Sequence, residues 1–166
     1  MIGRRGFIVA GAALGLAGCS SQPRIEPYFG PQVTRVVVMK DARRMYLMHQ
    51  DQPLEAYDVA LGFAPKGAKQ VEGDGKTPEG RYFVDRRNPH SAFHLSLGIS
   101  YPNEADIAEA KALGRPPGGD IFIHGRAHGV RRRGGDWTAG CISVTNKQIE
   151  QVYSMVRDGT AVDIYP

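Results

Sequence analysis

The segment from Ile121 to Asn146, IFIHGRAHGVRRRGGDWTAGCISVTN, constrains the fold of this chain more than any other stretch. It begins with an apolar run typical of a buried strand, which ends at His124, and it carries Cys141 in a turn next to glycine. The loop between these two residues is rich in glycine and arginine, and it is long enough to leave one strand and return beside it. We therefore expect two neighbouring strands that bring an imidazole and a thiol together.

An imidazole beside a thiol is the minimal set for covalent acyl transfer, because the thiolate is the nucleophile and the imidazole takes its proton. Gly140 lets the backbone turn tightly before Cys141, so that amide N–H groups converge as an oxyanion hole. Gly125 allows a carbonyl to approach and orient the imidazole of His124. The alternative is a buried structural cysteine, since free cysteine is among the most buried residue types. The glycine and the polar residues around Cys141 favour the catalytic interpretation.

The N-terminal residues have the pattern of an export signal. Arg4 and Arg5 precede an apolar run, Gly6 to Gly18, that is too short to span a bilayer as a helix. The order around the arginines resembles a twin-arginine signal, and Leu-Ala-Gly-Cys, which ends at Cys19, resembles a bacterial lipoprotein processing site. We predict that residues 1–18 are a signal peptide and that Cys19 carries the lipid. An ordinary secretory signal is the alternative.

Processing at Cys19 predicts a periplasmic protein that is anchored to a membrane through its lipid. Ser20, rather than an acid, follows Cys19, which favours the outer membrane, and the inner membrane stays open as an alternative. Residues 19–32 are polar and contain proline, so we expect a flexible tether with no structure of its own. The folded domain is predicted over residues 33–166.

Charge and cysteine content narrow the possible partners. The formal charge of +4 falls to +2 once residues 1–18, which contain two arginines and no acid, are removed. This charge is too small to indicate nucleic-acid binding, and it is compatible with an anionic polymer such as the cell wall. With Cys19 lipidated, Cys141 is left alone in a compartment that favours disulfides, where an unpaired thiol is a liability unless it is used or deeply buried.

The rest of the chain indicates a mainly β protein with two short helices. Asn103 is expected to cap a surface helix that ends before Gly114, and Thr145 with Gln148 forms a capping box for a second helix, which Asp158-Gly159 ends. Runs typical of strands are Arg35–Lys40, Met45–His49, Ala56–Leu61, Arg81–Asp85, His94–Ser100, Ile121–Ile123, Ile142–Val144 and Thr160–Tyr165.

The motifs IHG and DWTAGC resemble those of the bacterial L,D-transpeptidase catalytic domain, the YkuD type, in which a His-Gly step precedes a Ser/Thr-x-Gly-Cys step. The similarity runs from Val33 to Tyr165 and includes the loop GDGKTPEG. The stretches RNPHSAFHLSLGISYPN and DWTAGCISVTN are most similar to the compact murein-processing subgroup. The resemblance implies the mixed-sheet β-sandwich of that family.

The resemblance also implies roles for individual residues. Cys141 matches the nucleophile, His124 the general base and acid, and Gly125 the carbonyl that orients the imidazole. Gly140 and Cys141 match the amides of the oxyanion hole. Many members carry an arginine two residues after the cysteine, and this chain has Ser143 there, so the role of that arginine and any specificity tied to it are open.

Further residues are expected to contact substrate. The triple arginine of the loop is either a solvated face or a set of forks for stem-peptide carboxylates, and the tryptophan is either a packing anchor or a cleft wall. His128 is the alternative general base, and His94 is expected to be structural. The predicted substrate-binding residues are Thr77, Arg131, Arg132, Arg133, Trp137 and Thr138.

The implied reaction is attack of Cys141 on the carbonyl that joins the L-centre of a diaminoacid to D-alanine in a peptidoglycan stem. A thioester forms, D-alanine leaves, and an amine or water resolves the intermediate. The alternatives are a hydrolase or amidase of the same fold, which acts on wall or wall–protein amides, and a non-catalytic wall-binding lipoprotein.

Peptidoglycan and the membrane are the predicted partners, with a wall-linked protein as a possible acceptor or substrate. No cofactor is expected, and no metal, because the histidines and acids lack the usual ligand spacings.

Overall fold

A computed structural model of the chain describes residues 22–127 and 134–166. These residues are mainly β with two short helices, as the sequence pattern predicts. The elements in chain order are β1 (Arg35–Met39), β2 (Arg44–His49), β3 (Gln52–Asp58), β4 (Gly80–Asn88), β5 (Ser96–Ile99), α1 (Glu104–Ala112), β6 (Phe122–His124), β7 (Ile142–Ser143), α2 (Asn146–Met155) and β8 (Ala161–Tyr165).

The strands form one mixed sheet with the order β3-β2-β1-β8-β4-β5-β6-β7. The β1–β8 and β6–β7 pairs are parallel and the others are antiparallel. Strand β4 joins the two halves, because its first residues pair with β8 and its last residues with β5. The chain after β3 then bridges the opposite edge, at Ala60 with Ser143 and at Gly62 with Thr138. The sheet therefore curls until its two edges meet beside β7.

The inner face of the curled sheet encloses one apolar core. Alternate residues of β1 and β2, such as Val36, Val38, Met45 and Leu47, are fully buried, as the period of a half-buried strand requires. Helix α1 buries only Ala110 and lies on the surface. Helix α2 covers the core with one apolar face, formed by Ile149, Val152, Tyr153 and Met155.

Both predicted helix caps are present. Asn103 accepts from the amides of Ala105 and Asp106, and the Asp106 carboxylate accepts in return from the Asn103 amide. Thr145 and Gln148 form the second capping box. Helix α2 nevertheless ends at Met155, before the predicted stop at Asp158-Gly159, because the next residue, its C-cap, is already extended at φ −92° and ψ 130°.

Strand β3 differs from its prediction. It begins at Gln52 and ends at Asp58, whereas the sequence pattern indicates Ala56–Leu61. Pro53 is tolerated within it because β3 lies at an edge of the sheet order, and the register shifts between Leu47 and Met48 opposite it. The residues after Asp58 leave β2 to make the edge bridges beside β7.

The described part of the predicted tether contacts the folded domain. Residues 22–32 form no helix or strand. The amide of Arg24 donates to Glu150 of α2 at 2.9 Å, and Tyr28 packs against the core. An aromatic side chain gains enough from burial to hold a polar segment against the surface. The predicted signal peptide and Cys19 lie outside the described residues.

Within residues 22–127 and 134–166, the structure contains no helix with the length and apolar character that a membrane span needs.

Lys40 is a buried charge that sequence patterning does not reveal. Its side chain is 1% exposed, and its ammonium contacts the Glu79 carboxylate at 2.7 Å and the carbonyls of Gly67 and Thr77 at 2.7 and 3.0 Å. An ammonium has three donors, and each one meets an acceptor here. Lys40 therefore connects the end of β1 to two parts of the segment before β4, one at Gly67 and the other at Thr77 and Glu79.

We predict that Lys40→Met lowers the free energy of unfolding by about 2–3 kcal/mol, because the largely buried Glu79 partner and two carbonyls lose their donor. Urea unfolding followed by circular dichroism measures the change. Lys111→Met, on the exposed face of α1, is the matched control and should change the free energy by less than about 0.5 kcal/mol. Equal effects of the two substitutions would contradict the anchoring role of Lys40.

Candidate active site

The parallel pairing of β6 with β7 brings the predicted base and nucleophile to the same place. Ile123 is paired with Ile142, and His124 with Ser143. Paired residues of neighbouring strands project from the same face of a sheet, and residues two positions apart along an extended chain do so too. Cys141 lies two positions before Ser143 and directly precedes β7, so we expect it to face the same side as His124.

The imidazole of His124 is held in one orientation. Its side chain is buried, and Nδ1 lies 2.7 Å from the carbonyl oxygen of Gly125. A carbonyl only accepts, so Nδ1 carries the proton and Nε2 has the free lone pair of a general base. The ring packs against Phe93, with centroids 4.6 Å apart, and meets Trp137 edge-on at 5.8 Å.

The Gly125 carbonyl accepts a second hydrogen bond, from the hydroxyl of Ser143 at 3.3 Å. Ser143 is 2% exposed, so the residue that replaces the arginine of the family pattern is an internal support of the base. Gly125 itself has no room for a side chain: an added Cβ would lie 2.8 Å from Asn146 Oδ1 and from the Phe93 carbonyl. These contacts fix the carbonyl that orients His124.

The turn before the nucleophile is held by Thr138. Its buried hydroxyl donates to the Cys141 carbonyl at 2.6 Å and accepts from the Gly140 amide at 3.2 Å. Gly140 has φ 137°, and a Cβ there would lie 2.7 Å from the Lys76 carbonyl, so glycine is required. In this conformation the hydroxyl has both of its partners inside the turn, and its contribution is to shape it.

The two amides predicted to form the oxyanion hole differ in whether they already donate a hydrogen bond. The Gly140 amide is occupied by Thr138 Oγ1, whereas the Cys141 amide makes no hydrogen bond to any described residue. Cys141 supplies the available donor in this conformation, and Gly140 supplies the backbone geometry. A role for the Gly140 amide requires its bond to Thr138 to open.

An ion pair that the sequence does not indicate anchors the residues before this turn. The Asp136 carboxylate accepts from Arg43 through Nε and Nη2 at 2.8–3.2 Å, and from the Leu61 amide at 2.9 Å. The next residue, Trp137, donates its amide to the Leu61 carbonyl. Asp136 thus attaches the nucleophile's segment to the chain that follows β3. Trp137 Nε1 is buried and has no acceptor among the described residues.

The loop GDGKTPEG packs behind the nucleophile's turn. Thr77 is completely buried, and its hydroxyl accepts from the Gly62 amide at 3.1 Å. Asp74 organises the loop: burial acts to raise its pKa, but bonds from the amides of Gln70, Lys76 and Val71 and from Lys69 lower the pKa below its ordinary value. Thr77 is thereby placed in the support of the site, away from solvent.

The remaining histidines and arginines of the prediction are placed as follows. His94 is buried and its Nε2 lies 2.7 Å from Glu150 of α2, which confirms its structural interpretation. His128, Arg131, Arg132 and Arg133 lie outside the described residues, so their predicted roles stay predictions. No group of three or more histidine, cysteine, aspartate or glutamate side chains suited to a metal ion occurs in residues 22–127 or 134–166.

Burial keeps both reacting groups neutral. It lowers the pKa of His124, against the opposing effect of the Gly125 hydrogen bond. It also raises the pKa of Cys141, which Asp120 raises further, while the Phe122 amide and Lys69 lower it. The thiol donates to the Asp120 carbonyl at 3.4 Å. Both pKa shifts favour a thiol and a neutral imidazole over an ion pair.

Comparisons with known proteins identify the family to which the chain belongs. Residues 33–164 match the family model described as YkuD, the L,D-transpeptidase catalytic domain, which confirms the resemblance inferred from the motifs. The chain is 28% identical over 144 residues to the putative L,D-transpeptidase YafK of Escherichia coli K12, an alignment that covers 79% of this chain and 53% of that protein. It thus spans about half the length of the curated relatives it matches.

Solved structures show the same fold. The helical cell shape determining protein Pgp2 from Campylobacter jejuni is 25% identical, with a TM-score of 0.63 over 87% of this chain and 51% of that one. Bd1075 from Bdellovibrio bacteriovorus is also 25% identical, with a TM-score of 0.57 over 81% of this chain and 48% of that one. An L,D-transpeptidase from Mycobacterium smegmatis shares the fold at 13% identity, with a TM-score of 0.54 over 81% of this chain and 59% of that one.

We predict that a neutral alkylating agent such as iodoacetamide modifies Cys141 slowly at pH 7. The rate should rise with a midpoint above that of an unstructured cysteine peptide, because only the thiolate reacts and burial raises the thiol pKa. Peptide mapping after timed alkylation across pH measures this and separates Cys141 from Cys19. A midpoint below that of the reference peptide would instead indicate a preformed thiolate–imidazolium pair.

Proposed function

Since this chain belongs to the family of L,D-transpeptidase catalytic domains, we propose that it is a cysteine-dependent L,D-transpeptidase that acts on peptidoglycan stem peptides. The observation that supports the proposal is the register of β6 and β7, which pairs His124 with Ser143, two residues after Cys141. The Nδ1 contact with Gly125 supports it further, because it leaves Nε2 free to accept the proton of a thiol.

In the proposed mechanism the first step is the transfer of the Cys141 proton to Nε2 of His124, once substrate has displaced the thiol from the Asp120 carbonyl. The thiolate attacks the carbonyl between the L-centre of the diaminoacid and D-alanine. The developing oxyanion lies near the free amide of Cys141. The C–N bond then breaks, the D-alanine amine takes the proton from His124, and a thioester on Cys141 remains.

The second step resolves the thioester. An amine of a neighbouring stem or of a wall-linked protein gives up its proton to His124 and forms the new amide, which regenerates the thiol. Water in the same place gives cleavage, so one site accommodates both outcomes. Burial favours a neutral imidazole, which is the state that both steps require of the base.

The cellular setting is part of the proposal. A lipid on Cys19 would tether the domain to the outer membrane, facing the wall in the periplasm. Pgp2 is described as a cell shape determining protein, and by analogy we propose a contribution to wall biogenesis and cell shape here. The residues from Arg24 to Tyr28, which lie along α2, would then set how the domain is held relative to its anchor.

We predict that the full chain releases D-alanine from a stem tetrapeptide, and that Cys141→Ser and His124→Ala each reduce this release by about a thousandfold or more, since neither group of the pair works alone. Mass analysis of the peptides measures it. Crosslinked dimers identify a transpeptidase, and free tripeptides identify a hydrolase. Arg157→Gln, an exposed control, should leave the rate unchanged.

Wall binding without release of D-alanine or any other product would identify the non-catalytic alternative. Retention of activity in Cys141→Ser would contradict the cysteine mechanism itself.

A further inference from the structure

A polar cavity of about 320 Å³, which we call the Arg126 cavity, is lined by residues that are close in sequence to His124 and Cys141. Its charged lining residues are Arg43, Asp58, Arg126 and Asp136, and Ser143 also lines it. Arg126 comes two residues after His124, and Ser143 two residues after Cys141. Two extended residues span at most about 7 Å, so two of the residues that line the cavity lie within that backbone distance of the candidate pair.

The charges of the cavity leave one cation without a counter-ion. Arg43 is bound to Asp136 through two guanidinium nitrogens, and Asp58 pairs with Arg44 at 2.7 Å. Arg126 has no carboxylate within ion-pair distance among the described residues. Among the charged side chains of the lining, Arg126 is therefore the one that has no counter-ion within the described residues.

The guanidinium of Arg126 also has an unused donor. Its Nε is buried and has no acceptor in the described part of the chain. A desolvated donor that lacks an acceptor is costly, and the planar fork of arginine matches a carboxylate through two parallel hydrogen bonds. The arginine backbone is fixed, because its amide donates to Asn146 Oδ1 at 2.7 Å at the start of α2. These features select a carboxylate over a neutral or cationic group.

The cavity is in contact with the support of the base. Ser143 donates to the Gly125 carbonyl, and the same carbonyl accepts from His124. An occupant that is bound at Arg126 is therefore seated against the residues that orient the imidazole. This connection suits a group that belongs to the substrate and is placed by the same recognition that positions the scissile carbonyl.

We propose that the Arg126 cavity binds a carboxylate of the stem peptide, with Arg126 as the residue that recognises it. The inference rests on the proposed function for the identity of the ligand. Two carboxylates of a tetrapeptide stem share this chemistry: that of the terminal D-alanine and that of the second centre of the diaminoacid.

The test measures binding, so that it does not depend on turnover. Calorimetry with the full chain carrying Cys141→Ser would use three synthetic tetrapeptides: one unmodified, one amidated at the D-alanine carboxylate and one amidated at the diaminoacid carboxylate. We expect amidation of the recognised carboxylate to weaken binding about tenfold, as for a partly exposed charge-assisted pair. Arg126→Gln should weaken binding of the unmodified peptide by the same factor.

The decisive result comes from testing the Arg126 substitution with the amidated peptides. Arg126→Gln should not weaken further the peptide that lacks the recognised carboxylate, because the interaction is already lost. Arg126→Lys should retain part of the affinity, and Arg157→Gln should retain all of it. Thermal unfolding of each variant shows that the fold is intact. Equal weakening of all three peptides by Arg126→Gln, no weakening, or no binding of any peptide would overturn the inference.

Failure of the inference and failure of the proposed function are distinguishable. Selective loss of carboxylate binding in Arg126→Gln, without release of D-alanine by the unsubstituted chain, would leave the binding site and remove the catalytic proposal. Release of D-alanine without that selectivity would support the catalytic proposal and overturn the carboxylate site at Arg126.

Discussion

Two donors converge on the carbonyl oxygen of Gly125, and the geometry of the candidate site depends on this convergence. Nδ1 of His124 fixes the tautomer, and Ser143 holds the carbonyl from the neighbouring strand. The Ser143 contact exists because β6 and β7 pair in parallel with His124 opposite Ser143, whereas the His124 contact is local and joins adjacent residues. A shift of one residue would turn Cys141 to the other face of the sheet. The register of two very short strands thus controls which groups can react.

Contacts with other segments of the chain stabilise β7 and the turn before it. Ala60 and Gly62 bridge the far edge of the curled sheet to β7 and to the nucleophile's turn, and the Arg43–Asp136 pair fastens the segment before that turn. The cost of this rigid enclosure is desolvation, which suppresses both the thiolate and the imidazolium. In the proposed mechanism, the proton transfer from the thiol therefore waits until substrate is in position.

Local patterns in the sequence were enough to predict the strands and the helix caps. Alternating apolar residues predicted the strands, and Asn103 and Thr145 predicted the caps. The reacting pair of Cys141 and His124, each next to a glycine, stays a prediction. Ser143, Asp136 and Lys40 could not be interpreted in this way, because their roles depend on partners that the fold brings from distant segments. Pro53 lies within β3, and the edge position of that strand is what allows it there. Residues far apart in sequence leave no periodic signal of their contact.

The most direct test of the account is to trap its covalent intermediate. The full chain is mixed with a stem tetrapeptide, quenched in acid within the first turnover, digested and analysed by mass spectrometry. We predict a tripeptide acyl group on the peptide that contains Cys141, sensitive to hydroxylamine as a thioester is, and absent from Cys141→Ser. D-alanine release without any acyl group on Cys141 at any quench time, or an acyl group on another residue, would contradict the central claim.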